Sequence, residues 1–266
     1  MNISRITLEC NMENIYMDAY IADKVPNKKR SALLIIPGGG YSCVCADREG
    51  YPIAEAFIPY GFNAFILNYY TGKSIPFPIQ TIQAATAIKN IKENAEEYGI
   101  DPDRVFVVGF SAGGHLAACT ATMWNSPDIY EAIDATKEDI RPTGAMLIYP
   151  VITPQYHEYS FKNLVHYAGA GEQTLSALSV DKRVTSESAP VFIMHTSDDS
   201  VVDVRNSLVY AEACKKAGVQ FEMHIYPSAP HGVALSNEIT STGRPEWENK
   251  RIAEWVRLAS EWSNTL

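Results

Sequence analysis

Gly109-Phe110-Ser111-Ala112-Gly113 sets one serine among small residues, where an apolar run ends and an Ala-rich stretch begins. A serine hydroxyl becomes a useful nucleophile when a base takes its proton and a sharp strand-to-helix turn presents its oxygen. Small neighbours allow the backbone to approach itself that closely. A helix starting just after Ser111 adds N–H donors and a positive partial charge where an oxyanion would develop. The chemistry implied is attack on an acyl carbonyl. A second glycine run, Pro37-Gly38-Gly39-Gly40-Tyr41, also follows an apolar run. Its backbone can come near a substrate without a Cβ in the way. Gly39, Gly40 and Ala112 are therefore candidate backbone donors to an oxyanion, and Tyr41 and His115 are candidate substrate contacts.

A triad also needs an acid and a base. Asp198 and Asp199 follow the apolar run Val191–Met194, with Asp203 a little further on. Asp203 also suits the N-cap of a helix beginning at Val204. Among six histidines, His231 lies in the turn Pro230-His231-Gly232 after the last strand, from which a side chain can reach back over a sheet. His115 has packing as its other reading, His195 suits a role in ordering the acid loop, and His224 sits within a strand. His157 and His166 either touch substrate or face water.

The elements that must position these residues alternate. Ile3–Leu8 and Ile15–Ile21 read as an opening pair of strands. Ala32–Ile36, Asn63–Asn68, Val105–Val108, Ala145–Tyr149, Val191–Met194 and Phe221–Tyr226 read as further strands, several of them buried on both faces. Helices are expected over Pro52–Tyr60, Pro78–Tyr98, the stretch after Ser111, Val204–Ala217 and Trp247–Trp262. Such alternation predicts an α/β fold with a mostly parallel sheet and helices on both faces. No repeat or linker divides residues 1–266, so one domain is expected. Residues 151–189 break the rhythm and read as a cap or lid inserted within it. Helical spacing makes Trp247, Trp255 and Trp262 core residues of the last helix, and a homo-oligomer interface stays open.

Composition narrows the function classes. The 266 residues are 46% hydrophobic with a net charge of −9. Their one basic cluster, Lys28-Lys29-Arg30, suits a solvated loop, so a nucleic-acid partner is not expected. Five cysteines are an odd number in a large chain, which does not suggest a disulfide framework, and no second cluster of Cys or His completes a zinc site. No signal peptide and no run of about 20 apolar residues is seen, so a cytoplasmic protein without a membrane partner is expected.

Pro37–Tyr41, Arg48-Glu49-Gly50, Gly109–His115, His195-Thr196-Ser197-Asp198-Asp199 and Pro230–Gly232 together resemble the acetyl esterase and lipase branch of the α/β-hydrolase superfamily, in particular acetylxylan-esterase-like proteins. The likeness runs from about Ala32 to Gly232. It implies the α/β-hydrolase fold, an HGGG-type oxyanion loop and an acid in a D-x-x-V turn. Asp199-Ser200-Val201-Val202 fits that turn better than Asp198 does. The family order Ser, Asp, His then selects Ser111, Asp199 and His231. Pro37 replaces the usual histidine, and Asp203 stands where the family often has proline. Arg48 and Glu49 either order the oxyanion loop or face solvent.

The expectation is a serine ester hydrolase for short acyl, notably acetyl, groups on small molecules or oligosaccharides, using an acyl-enzyme and no metal or cofactor. An arylformamidase-like amide hydrolase is the alternative within the fold. A ligand-binding protein without turnover is the alternative outside it.

Overall fold

The computed structural model describes residues 1–10, 15–71, 77–165 and 178–266. Eight strands form one sheet: β1 (Asn2–Leu8), β2 (Ile15–Ile21), β3 (Arg30–Ile36), β4 (Phe62–Asn68), β5 (Ile100–Phe110), β6 (Gly144–Ile148), β7 (Val191–Thr196) and β8 (Phe221–Tyr226). They lie in the order β1-β2-β4-β3-β5-β6-β7-β8. β1 and β2 pair antiparallel, and β2 joins β4 antiparallel. Every pairing from β4 onward is parallel.

Parallel strands are buried on both faces, which accounts for their unbroken apolar runs. Side chains alternate between the faces. Ala32, Leu34 and Ile36 of β3 join Val105 and Val107 of β5 on one side, under helices Ile79–Glu93, Ala112–Met123 and Arg205–Ala217. Leu33, Ile35, Phe106, Val108 and Phe110 join the other side, under helices Tyr51–Phe57 and Trp255–Ser263. Among the described residues, no helix is long and apolar enough to cross a membrane.

Several boundaries differ from the sequence reading for local reasons. β5 starts at Ile100 because the polar Asp101-Pro102-Asp103 segment continues the strand despite its composition. The helix expected over Pro78–Tyr98 breaks at Asn94, whose side chain donates to the Asn90 carbonyl at 2.8 Å. The last helical region starts at Lys250, where the Asn249 side chain accepts from the N–H groups of Arg251 and Ile252. Trp247 is therefore not a core residue of that helix. It ends the 3-10 turn Pro245–Trp247 and lies half-buried beneath the guanidiniums of Arg48 and Arg244. Trp255 and Trp262 do pack in the core, against Phe57, Phe106, Phe110 and Phe192. Within the expected insertion, the described parts form helix Glu158–Val165 and turn Val180–Arg183. His166 lies outside the described residues.

Candidate active site

Ser111 occupies the turn between β5 and helix Ala112–Met123, at φ 52° and ψ −117°. This is a left-handed backbone that costs energy for any residue but glycine. Its surroundings impose it. The Ser111 N–H donates to the Ile148 carbonyl at 3.1 Å, and its own carbonyl accepts from Val151 at 3.0 Å. A Cβ on Gly113 would strike the carbonyls of Ile36 and Pro37, so helix Ala112–Met123 packs directly against the end of β3.

The loop after β7 carries both aspartates. Asp199 Oδ1 accepts from the N–H groups of Val201 and Val202, each at 2.9 Å. Its Oδ2 lies 2.6 Å from His231 Nδ1. His231 Nε2 lies 2.9 Å from Ser111 Oγ. The three residues thus form one hydrogen-bonded line from three loops, after β5, β7 and β8. Asp198 turns elsewhere, accepting from Ser228 Oγ at 2.6 Å and from the Ala229 N–H at 3.2 Å. Asp203 accepts from the Arg205 N–H at 2.8 Å, at the start of its helix.

His195 fixes the acid from behind. Its Nε2 donates to the Val202 carbonyl at 3.0 Å and lies 3.4 Å from Asp199 Oδ2, while Nδ1 accepts from Ser207 Oγ at 2.7 Å. Burial alone would raise the Asp199 carboxyl. The bonds with His195 and His231 outweigh burial and hold it well below the usual carboxylate range.

The glycine loop lies across from these three residues. Gly39 and Gly40 adopt φ 128° and 64°. The loop's own hydrogen bonds use the carbonyls of Gly38 and Gly39 and the N–H of Gly38, and they leave the N–H groups of Gly39 and Gly40 out. Ala112 is the first residue of its helix, so its N–H has no intrahelical acceptor. Gly39, Gly40, Ser111 and His231 share the walls of a cavity of about 210 Å³ with Cys45, Arg48, Glu49, His157, Tyr159, Ser160, Val201 and Gly232.

Two expected substrate contacts are corrected. Tyr41 and His115 are buried behind the loop and do not line this cavity. Tyr41 Oη donates to His115 Nδ1 at 2.7 Å, and His115 Nε2 donates to the Leu178 carbonyl at 2.9 Å. Burial pushes the His115 imidazole down to about 4, against the pull of its Leu178 bond, so it is a neutral packing residue near neutral pH. Both sit within motifs beside the chemistry, and sequence position alone could not reveal that they face inward. His157, by contrast, reaches the cavity. Its Nδ1 donates to the Val201 carbonyl and its Nε2 accepts from Ser160 Oγ, both at 3.0 Å.

Glu49 and Tyr149 complete the surroundings. Glu49 is buried and accepts from the Gly38 N–H at 2.8 Å and from Tyr149 Oη at 2.9 Å. The Tyr149 ring stands edge-on to His231, 5.0 Å between centroids. Sequence reasoning left Glu49 open and missed Tyr149. The one available signal was a tyrosine ending a strand next to the nucleophile strand.

Comparison with known proteins follows this geometry. A model of the BD-FAE family matches residues 17–213. An endo-1,4-beta-xylanase B of Butyrivibrio fibrisolvens is 36% identical over 220 residues, 79% of this chain and 33% of that protein. An acetylxylan esterase of Xylanibacter ruminicola is 32% identical over 215 residues, 77% of this chain and 42% of that protein. The chain thus spans less than half the length of either curated relative. The crystal structure of an acetyl ester-xyloside bifunctional hydrolase from Caldicellulosiruptor lactoaceticus superposes with a TM-score of 0.80 at 33% identity, covering 96% of this chain and 89% of that one.

Proposed function

Since the chain belongs to the BD-FAE family and has the α/β-hydrolase fold, we propose that it is a serine carboxylic-ester hydrolase acting on short acyl esters, acetyl groups on sugars foremost. The observation that carries this reading is the line of contacts from Ser111 Oγ through His231 to Asp199, at 2.9 and 2.6 Å.

Asp199 accepts from His231 Nδ1, which leaves Nε2 free to take the Ser111 proton. Ser111 Oγ then attacks the ester carbonyl. The N–H groups of Gly39, Gly40 and Ala112 stabilise the oxyanion, a kind of contact worth about 2.7–4 kcal/mol per donor in a preorganised site. His231 returns the proton to the departing alcohol, and the Ser111 acyl ester is hydrolysed by water through the same steps in reverse. Asp199 stays ionised throughout, consistent with its strongly depressed titration.

The short-acyl part draws on the small cavity, about 210 Å³, closed on one side by His157, Tyr159 and Ser160 of the inserted segment. In this reading the described part of the insertion, helix Glu158–Val165 and the residues just before it, acts as a cap. The sugar part draws on the relatives named for acetylxylan and acetyl ester-xyloside hydrolysis.

The test is turnover of p-nitrophenyl esters from acetyl to octanoyl, with acetylated xylo-oligosaccharides and N-formylkynurenine alongside. The expected result is hydrolysis that is fastest on acetyl esters and falls by about 10³-fold or more in Ser111→Ala. Equal rates in the variant would overturn the serine mechanism. A preference for octanoyl esters would overturn the short-acyl part, and a preference for the formamide would overturn the ester reading.

A further inference from the structure

Helix Ala46–Glu49 is a single turn just behind the glycine loop, and it buries its terminal carboxylate. A buried carboxyl group loses its hydration, and its surroundings must replace it. Here the replacement is specific. Glu49 Oε2 accepts the Gly38 N–H at 2.8 Å, and a Cβ on Gly38 would stand only 2.7 Å from that oxygen. Glu49 Oε1 accepts Tyr149 Oη at 2.9 Å. Tyr149 Oη in turn accepts the Ala234 N–H at 3.0 Å, three residues beyond His231. Arg48 donates to the Gly232 carbonyl at 3.3 Å from the same helix. Both neighbours of Glu49 donate to it, so each of its oxygens is satisfied as an acceptor.

Resting on the triad reading above, we infer that Glu49 is a positioning residue. It ties the oxyanion loop to the base loop through Gly38, Tyr149 and Ala234. The tie means that the loop carrying the oxyanion donors and the loop carrying the base share one anchor. Their separation therefore changes little as charge develops, which is what preorganisation demands.

Burial pushes the Glu49 carboxyl above its ordinary value and outweighs the Gly38 N–H, His231, Tyr149 and Arg48, which oppose that rise. The role of the group is therefore carried by its two hydrogen bonds.

Two variants in the full chain test this, each measured by kcat and KM on p-nitrophenyl acetate. Glu49→Gln keeps the shape and replaces one acceptor oxygen with an amide donor, so one of the two bonds is lost. It is expected to lower kcat on the order of 10- to 100-fold with little change in KM. Tyr149→Phe leaves Glu49 on Gly38 and cuts the tie to Ala234. Its kcat is expected to fall several-fold with KM little changed. Wild-type kcat in folded Glu49→Gln overturns the inference, and a loss carried by KM alone overturns it too. Should Glu49→Gln fail to fold, Tyr149→Phe decides: a wild-type kcat there overturns the tie. Wild-type protein without Ser111-dependent turnover would sink the triad reading instead, whereas an active wild type matched by both variants sinks this inference alone.

Discussion

Asp198 and Asp199 are neighbours in sequence with separate tasks in the structure. Asp199 meets His231, and Asp198 ties down Ser228 and Ala229 just before that histidine. Asp199→Asn is expected to reduce kcat by about 10³- to 10⁴-fold, because the imidazole would lose the partner that holds its tautomer. Asp198→Asn keeps an acceptor oxygen for the Ala229 N–H and can donate its amide N–H to Ser228 Oγ, so it should stay within about 10-fold of wild type. Steady-state kinetics on p-nitrophenyl acetate compares the two, and equal losses would contradict this division of labour. The D-x-x-V spacing was enough to choose between the aspartates, since the two N–H groups that fix Asp199 belong to residues two and three positions on. Glu49 was not readable in the same way. Its burial depends on Gly38, Tyr149 and Ala234, which are far apart in sequence, and no local spacing encodes their meeting.

At the scale of elements, the turn at Ser111 depends on how closely helix Ala112–Met123 approaches the end of β3. Gly113 is the point of closest approach, with no room for a methyl group before the Ile36 and Pro37 carbonyls. Backbone yields less readily than a flexible side chain. Gly113→Ala is therefore expected to cost about 1–3 kcal/mol and lower Tm by roughly 3–10 °C. Calorimetry checks this, and an unchanged Tm would mean that the helix can retreat. The elements themselves were largely legible, because two-sided burial gives parallel strands unbroken apolar runs. Their ends were less so. Asn94 and Asn249 stop or start helices through side-chain bonds, and Trp247 has helical spacing while lying outside the helix. Tyr41 and His115 mark the same limit, since a motif fixes the turn and leaves open which side chains point inward.

For the molecule as a whole, the pH dependence of stability carries a signature of its neutral core histidine. His115 binds a proton near 6.5 when unfolded and only near 4 when folded. Between those values the unfolded chain takes up a proton that the folded chain refuses, so stability falls as pH drops through this window. Above about pH 6.5 there is no such penalty. The full effect is about 3 kcal/mol from this one group, reached near pH 4. Urea unfolding at pH 7 and pH 4.5 should show a smaller loss in His115→Gln than in wild type. An identical loss in both proteins would assign the acid sensitivity to other groups.

The contact between Ser111 and His231 spans 120 positions of the chain. Synthesis at about 5–20 residues per second puts roughly 6–24 seconds between the appearance of the two residues. Through that interval the elbow can already be folded, yet its serine has no base to remove the proton. In the triad reading, the nascent chain gains its base only when β8 docks on the open edge of β7 and delivers the histidine.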